Sequence, residues 1–258
     1  MEIPWAYPAL VASEAGWAEE HARMPDRHTL TMGPRGAYTA DRAAALSGVP
    51  RSTVHDWARK DVLVPRISVE RTKLWSYADL MGLRLVYWLR HPKHAAPNGS
   101  DVPAAPMSSV RATLDYLRDV EQELWSPNGP SVVAVDRAGR IVLDPSRAPQ
   151  HPTGQTLAGR DHDVIDLLLP FETSEGTNGP DLVRPRPLLR IIPGKLGGEP
   201  HVARSRVETR ALAALARRGM NTGNIVRLYP ALEEAAIAEA IALEHQLENN
   251  LSAFAAAA

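Results

Sequence analysis

The stretch TADRAAALSGVPRSTVHDWARKDVLVP, residues 39–65, decides how the N-terminal part of this chain is interpreted. Thr39 is a good helix N-cap, and the small residues that follow it let a second helix approach closely. Gly48 stands where the first helix must end and the chain must reverse, a place that often needs a positive φ. Pro50 at the start of the next helix loses no hydrogen bond there. The stretch therefore predicts two short helices, a glycine-centred turn between them and a proline stop.

The second helix is expected to have an inward and an outward face. Val54 and Trp57 are three residues apart, which places both on the side that packs against the core. The other side carries hydrogen-bonding groups near the N-terminal half of the helix, where a recognition helix meets base edges. These outward residues are Arg51, Ser52, Thr53, His55 and Asp56. The competing interpretation is a helical hairpin packed into a larger core, with its charges in solvent.

A basic hairpin is predicted directly after this helix pair. Ile67 and Val69 mark a short strand, residues 70–73 form a charged turn, and Leu74–Trp75 form the returning strand. A helix capped by Ser76 follows, with apolar residues at helical spacing. A basic hairpin in this position is typical of a wing, whose cations contact DNA phosphates. The cations of this hairpin are Arg66, Arg71 and Lys73.

The order YTADRAAALSGVPRSTVHDWARKDVLVP, followed by LWSYADLMGLR, resembles the DNA-binding domain of the MerR-type winged helix family. The resemblance covers residues 37–92 and implies a winged helix–turn–helix that binds DNA. The long coiled coil that pairs MerR-type chains has no counterpart, because the helical pattern at residues 107–125 is too short. A homodimer must therefore form elsewhere. The expected DNA-binding residues are Arg51, Ser52, Thr53, His55, Arg59, Lys60, Arg66, Arg71 and Lys73.

Residues 190–251 are predicted to form a C-terminal helical domain. Two strands around a glycine-rich turn precede three helices, and Gly219 and then Tyr229-Pro230 separate the helices. This order resembles the antitoxin-associated helical domain that closes many VapB-type antitoxins. The residues that match the start of that domain are Gly198, Glu199, Pro200, Val202, Ser205, Arg206 and Val207. The resemblance implies that the domain pairs two chains. The residues expected at that dimer contact are Arg206, Leu212, Leu215, Ile237 and Ile241.

Between these two regions the sequence alternates between linker, helix and strand patterns. Residues 91–106 are rich in proline and alanine, and a helical pattern begins at Met107. GPSVVAVDRAGRIVLDP predicts a hairpin that turns at Gly139, and DVIDLLLPFE and RPLLRIIPG predict two further strands. The whole chain is therefore expected to have an α+β, mainly helical fold. Its segments are an N-terminal arm (1–36), the winged helix domain (37–92), a linker, helix and hairpin region (93–189), and the C-terminal helical domain (190–251).

Composition restricts the class of protein. The chain has 258 residues, 44% of them hydrophobic, a net charge of -1 and no cysteine. Thiolate metal sites and disulfides are therefore excluded, which fits the cytoplasm. No apolar run approaches the roughly 18 residues of a membrane span, and the N-terminus is a poor signal peptide.

Positive and negative charges are concentrated in different parts of the chain. Residues 38–93 contain ten Lys or Arg against five Asp or Glu, whereas residues 231–248 contain five Glu and no Lys or Arg.

The sequence contains no convincing catalytic motif. GKLGG at residues 194–198 is not a P-loop, because no Gly-Lys-Ser/Thr opens a helix. DHD at residues 161–163 places one imidazole between two carboxylates, a pattern that a solvated loop explains better than a metal site. No G-x-S-x-G motif is present, and a thiol nucleophile is impossible without cysteine. We therefore expect no enzyme activity, no cofactor and no metal.

The two resemblances together imply a VapB-type antitoxin. Such a protein would bind and neutralise a PIN-domain ribonuclease toxin, and would repress its own operon by binding promoter DNA as a homodimer. In that family an antitoxin arginine meets the acidic metal site of the toxin, and the candidates here are Arg23, Arg27, Arg184 and Arg186. A second interpretation is a stand-alone MerR-like regulator whose residues 107–190 sense a small molecule. A third is a protein-interaction module in which both helical ends only pack.

Overall fold

The structure, a computed structural model, describes residues 35–92, 102–119, 133–136, 138, 140–143, 162–164, 170–173 and 176–252. In these ranges the α-helices are α1 (Ala40–Ser47), α2 (Arg51–Arg59), α3 (Tyr77–Arg90), α4 (Met107–Asp119), α5 (Thr209–Arg217), α6 (Thr222–Leu228) and α7 (Glu234–Ser252). The strands are β1 (Val133–Asp136), β2 (Ile141–Leu143), β3 (His162–Val164), β4 (Phe171–Glu172), β5 (Asn178–Gly179), β6 (Leu189–Arg190) and β7 (His201–Val202). A mixed, mainly helical chain with small β-sheets is therefore confirmed.

The bounds of α1 follow from its sequence. The Thr39 hydroxyl accepts a hydrogen bond from the backbone N–H of Arg42 at 3.3 Å, which satisfies one of the orphan donors of the first turn. Gly48 ends the helix with a φ of 76°, in the left-handed region that favours glycine. Pro50 then precedes α2, whose inward residues Val54 and Trp57 are buried.

The hairpin predicted over residues 67–75 forms isolated bridges. Ser68 pairs with Leu74, and Trp75 pairs instead with Tyr38, antiparallel in both cases. The backbone of Trp75 exchanges hydrogen bonds with Tyr38 at 2.8 and 2.9 Å, so residues 74–75 are bridged to Ser68 on one edge and to Tyr38 on the other. Ser76 and Asp79 then form a capping box that begins α3.

Three small antiparallel sheets lie in the described residues. The hairpin predicted around Gly139 is observed as β1 and β2, which pair Val133 with Leu143 and Val135 with Ile141. β3 joins the other edge of β1, so that the strand order is β2-β1-β3. β4 pairs with β5, and β6 pairs with β7. All seven strands have two to four residues, so helices provide most of the surface that the core buries.

Helices from both ends of the sequence share one hydrophobic core. Leu46 of α1, Leu85 of α3, Leu182, Leu212 of α5 and Ile237 of α7 are fully buried members of the same cluster. None of the described helices is both long and apolar enough to cross a membrane. The N-terminal helix pair is therefore supported from behind by the C-terminal helices.

This core corrects part of the expected dimer contact. Leu212 and Ile237 are 0% exposed within a single chain, so neither side chain has surface left for a second copy. Leu215 and Ile241 are half-buried against the same core, and Arg206 is exposed. The apolar spacing of α5 and α7 thus reflects packing inside the chain at two of the predicted positions.

Candidate nucleic-acid interface

The outward side of α2 is the most distinctive polar surface near the N-terminal helices. We call it the α2 face and define it by the exposed residues Arg51, Ser52, His55, Arg59 and Lys60. Thr53, predicted with this set, is half-buried at the edge of the face. The side that lies against the core carries Val54, Trp57 and Ala58. The face therefore combines three permanent or near-permanent cations with hydroxyl and imidazole groups that can contact bases.

Carboxylates pair with the cations of the α2 face. Arg51 Nε lies 2.6 Å from Asp41 Oδ1, an ion pair that joins the first turns of α1 and α2. Asp56 is shared, with Oδ1 at 2.6 Å from Arg59 Nη2 and Oδ2 at 2.8 Å from Lys60 Nζ. The hydrogen bonds from Lys60 and Arg59 lower the pKa of Asp56, so this carboxylate stays ionised. Asp56 thus limits the excess positive charge of the face.

The hairpin after α2 adds cations beside the face. Arg66 and Arg71 are exposed, and Lys73 is half-buried. Arg66 Nε lies 3.4 Å from Oδ1 of the buried Asp79, whose pKa is raised by burial. Within the described ranges neither Arg71 nor Lys73 has an ion-pair partner. Their charge is therefore fully available to a phosphate.

Arg42, on the side of α1 that faces the C-terminal helices, holds the two ends of the chain together. Its Nη1 and Nη2 donate to the carboxylate of Glu244 on α7 at 2.8 and 2.9 Å, and its Nε donates to Glu199 Oε2 at 2.9 Å. The Thr209 hydroxyl also bonds to Glu244. Burial acts to lower the pKa of Arg42, but the hydrogen bonds and charges of the two glutamates hold it above its usual range. The guanidinium is therefore a permanent structural cation and is not part of the α2 face.

Arg84 of α3 has a related structural role. It is 0% exposed, and its guanidinium donates to the carbonyl oxygens of Leu46 at 2.8 Å, Ser47 at 3.3 Å and Pro180 at 2.5 Å. The first two are orphan carbonyls at the C-terminus of α1, where a cation is favoured by the helix dipole. Sequence reasoning missed Arg84, although a lone arginine inside the apolar run GLRLVYWL was a usable signal.

Two buried tyrosines complete the support behind the helix pair. The Tyr38 hydroxyl donates to the Gly198 carbonyl at 2.7 Å, and the Tyr77 hydroxyl donates to the Leu182 carbonyl at 2.7 Å. Burial raises the pKa of both tyrosines. Asn250 of α7 also donates to the Ala45 carbonyl of α1 at 2.9 Å. These bonds fix the position of α1, and through the turn at Gly48 they fix the position of the α2 face.

The structure describes two of the four arginines that are predicted to contact a toxin. Arg23 and Arg27 lie outside the described residues. Asp181 Oδ1 accepts from the backbone N–H groups of Val183 and Arg184 at 2.7 and 2.6 Å. Arg184 is exposed, whereas the Arg186 guanidinium binds the Gln246 side chain on α7. The VRPRP segment is therefore held against α7, and Arg184 alone of its two arginines points away from the chain.

No group of three or more His, Asp or Glu side chains in the described part of the chain is arranged to hold a metal ion. Side-chain positions for the DHD sequence lie outside the described residues.

Comparison with known proteins concerns the C-terminal part of the chain. Residues 190–243 match the profile of DUF433, described as a protein of unknown function. No curated protein and no solved structure matches the chain. The matched range includes β7, α5, α6 and the first half of α7, together with Glu199, and it ends one residue before Glu244. Residues 190–243 are therefore similar to DUF433 proteins. This range includes Glu199, which binds Arg42 of α1.

Proposed function

We propose that this chain is a VapB-type antitoxin that recognises DNA through its N-terminal region. It represses its own operon by binding promoter DNA as a homodimer, and it binds and neutralises a PIN-domain ribonuclease toxin in the cytoplasm. The α2 face and the hairpin cations act as a MerR-like winged helix–turn–helix. The observation that carries the proposal is the exposed α2 face on a helix whose opposite side is fixed to the core.

The chemistry of the face supports DNA as its ligand. Arg51 and Ser52 lie in the first turn of α2, where recognition helices contact base edges. His55, one turn later, adds ring nitrogens that can donate or accept. Arg71 and Lys73 provide unpaired cations for phosphates on one side of the helix. Base-reading groups are therefore flanked by groups that neutralise the DNA backbone.

The C-terminal part supports the antitoxin role. Its range matches DUF433, and that family is associated with toxin–antitoxin-like proteins. Exposed Arg184, and Arg23 and Arg27 of the N-terminal arm, are the candidates for contact with the acidic site of the toxin. Arg206, Leu215 and Ile241 remain the candidates for the dimer contact, and a twofold dimer would bring two α2 faces to two half-sites.

DNA binding is tested with the full chain and a labelled duplex from its own upstream promoter. The Arg51→Ala plus Thr53→Ala variant should lose sequence-specific binding while its thermal unfolding stays close to that of the wild type, since Arg51 is exposed and Thr53 is only half-buried. Binding should weaken as salt rises, because each phosphate contact releases counterions. Unchanged binding in the double variant would show that the helix pair only packs.

Toxin binding is tested by co-expression with the product of the adjacent gene. The proposal predicts co-purification with a PIN-domain ribonuclease whose activity is low in the complex and returns when the chain is removed. Arg184→Ala should weaken the inhibition of the nuclease. Arg218→Ala, at another exposed arginine, is the control for loss of a surface charge. A nuclease that is equally active with and without the chain would contradict the antitoxin role.

A further inference from the structure

The ion pair between Asp41 and Arg51 has a specific geometry. Asp41 Oδ1 lies 2.6 Å from Nε of Arg51, which is the nitrogen nearest the aliphatic stem. Neither outer nitrogen, Nη1 or Nη2, donates a hydrogen bond to another described residue. Both side chains remain about half exposed, at 50% for Asp41 and 59% for Arg51. The closest contact of the guanidinium with Asp41 is therefore at Nε, and its outer nitrogens can bind a ligand.

The neighbouring cations of the α2 face differ from Arg51 in this respect. Arg59 is paired through an outer nitrogen, because its Nη2 lies 2.6 Å from Asp56 Oδ1. Lys60 is paired through its single ammonium group and has no planar fork to present. Arg51 is therefore the one arginine of the α2 face, as the structure describes it, whose outer fork is free.

A free arginine fork at the N-terminus of a recognition helix matches the chemistry of one base. Guanine presents two acceptors, O6 and N7, at the spacing of the two outer nitrogens of arginine. A flexible arginine loses side-chain entropy when it is ordered on a base, and a carboxylate on Nε reduces that loss because it fixes the guanidinium plane beforehand. Asp41 is itself fixed, since it lies in the first turn of α1, behind the Thr39 cap.

We propose that Asp41 positions Arg51 to read a guanine in the major groove. Asp41 touches no base and is a positioning residue, whereas Arg51 makes the base contact. This inference rests on the proposed DNA binding and adds the base and the residue that sets the preference for it. It also explains why a carboxylate stands close to a surface that is expected to meet phosphates.

The test is a selection of preferred sequences by the full chain from a pool of random 20-base-pair duplexes. The selected duplex and its three alternatives at each position are then used to measure base preference. Wild-type protein should prefer guanine at one position of each half-site by about 5- to 150-fold, the range expected of one bidentate pair. Arg51→Ala should abolish the preference at that position only. Arg51→Lys should lose most of it, because lysine has no fork.

Variants of Asp41 separate positioning from a merely structural role. Asp41→Ala should reduce the guanine preference by about 3- to 10-fold, a typical coupling between contacting residues. Its affinity for non-specific duplex should stay equal or rise, since a negative charge has been removed. Asp41→Asn should keep part of the preference, because a polar side chain of the same shape remains beside Nε although its negative charge is lost. Glu248→Ala removes a carboxylate of similar exposure from an ion pair between α5 and α7 and should leave base preference unchanged.

Each outcome decides between the two claims. This inference would be overturned if Asp41→Ala kept the full guanine preference, or if Arg51→Ala lost the preference for a base other than guanine. Neither result would contradict DNA binding itself. Failure of the wild-type chain to select any sequence, together with no salt-dependent affinity, would overturn the proposed function itself. Circular dichroism of each variant at the assay temperature checks that the helices are retained.

Discussion

At the scale of single residues, Arg42 shows how charge joins distant parts of this chain. Its side chain is 15% exposed, and those of Glu199 and Glu244 are 8% and 7% exposed. A guanidinium with two carboxylates in such a position is stable only when every partner is present, because each charge has lost most of its hydration. The cluster also lines a cavity of about 250 Å³ between α1 and α7.

Removal of Arg42 should therefore be strongly destabilising. We expect Arg42→Ala to reduce the free energy of unfolding by about 3–5 kcal/mol, because buried Glu244 loses its counter-charge and Glu199 keeps only the exposed Arg210 at 3.8 Å. Arg217→Ala is the matched control, since it breaks an ion pair whose partners are about half exposed. That change should cost at most about 1 kcal/mol. Urea denaturation monitored by tryptophan fluorescence measures both, and equal losses would show that the cluster behaves like an ordinary surface pair.

Gly197 and Gly198 offer a matched pair for the contact between Tyr38 and the C-terminal part. Both have positive φ, at 63° and 83°. A Cβ on Gly198 would overlap the Tyr38 hydroxyl and lie 2.9 Å from its Cζ, whereas a Cβ on Gly197 would meet nothing within 4 Å. Gly198→Ala should therefore cost about 1–3 kcal/mol more than Gly197→Ala, the penalty of overpacking. Urea denaturation measures the free energy of unfolding of both variants. Equal losses would show that the Tyr38 side chain can move away from an added Cβ.

Residues with local roles were predictable from the sequence, and those with distant partners were not. Thr39, Gly48 and Gly219 act on their own helix ends, so local sequence rules identified them. Arg42 and Glu244 are separated by 202 positions, and no periodicity relates positions so far apart. Leu212 and Ile237 had the right apolar spacing for burial, but spacing alone does not tell an internal contact from a dimer contact.

At the scale of elements, the hairpin after α2 is the least regular part of the interface. Its backbone pairing consists of the bridge between Ser68 and Leu74 and a hydrogen bond from the Ile67 N–H to the Leu74 carbonyl, and Val69 near its tip is 58% exposed. The sequence indicated strands because Ile67, Val69 and Leu74–Trp75 have strand propensity. Strand propensity could not show that Trp75 forms a bridge with Tyr38. Side-chain position in this hairpin is therefore set less tightly than in α2.

This difference predicts a simple role for the cations of the hairpin. Arg71→Ala should weaken binding to all duplexes alike and should reduce the slope of log affinity against log salt by about 1. Base preference should stay unchanged, because a loosely held phosphate contact carries no sequence information. Fluorescence anisotropy over a salt series measures the slope, with Arg218→Ala on the C-terminal part as the control. A change in base preference would show that Arg71 reads bases.

At the scale of the whole molecule, the N-terminal helices and the C-terminal helices form one core. α1 packs on α3 and on α7, and Leu46, Leu182 and Leu247 belong to the same buried cluster. Residues 35–92 would leave much apolar surface uncovered without this packing, and a segment of that size is marginally stable by itself. Residues 35–92 therefore depend on the C-terminal helices for a complete core.

A fragment of residues 35–92 tests this dependence. It lacks the partners of the Tyr38 and Tyr77 hydroxyls and both carboxylates that bind Arg42. We expect the fragment to show no cooperative thermal transition by circular dichroism under conditions where the full chain melts cooperatively. Well-dispersed amide signals and a melting temperature equal to that of the full chain would contradict the shared core.

In the proposed function the α2 face binds the operon's promoter while other surfaces bind the toxin. The most direct test of this function is transcription from that promoter, fused to a reporter, in cells that produce the full chain. The wild-type chain should repress the reporter, and Arg51→Ala plus Thr53→Ala should not, although both accumulate equally and both co-purify with the nuclease. Equal repression by the two proteins, or no repression by the wild type, would contradict the account.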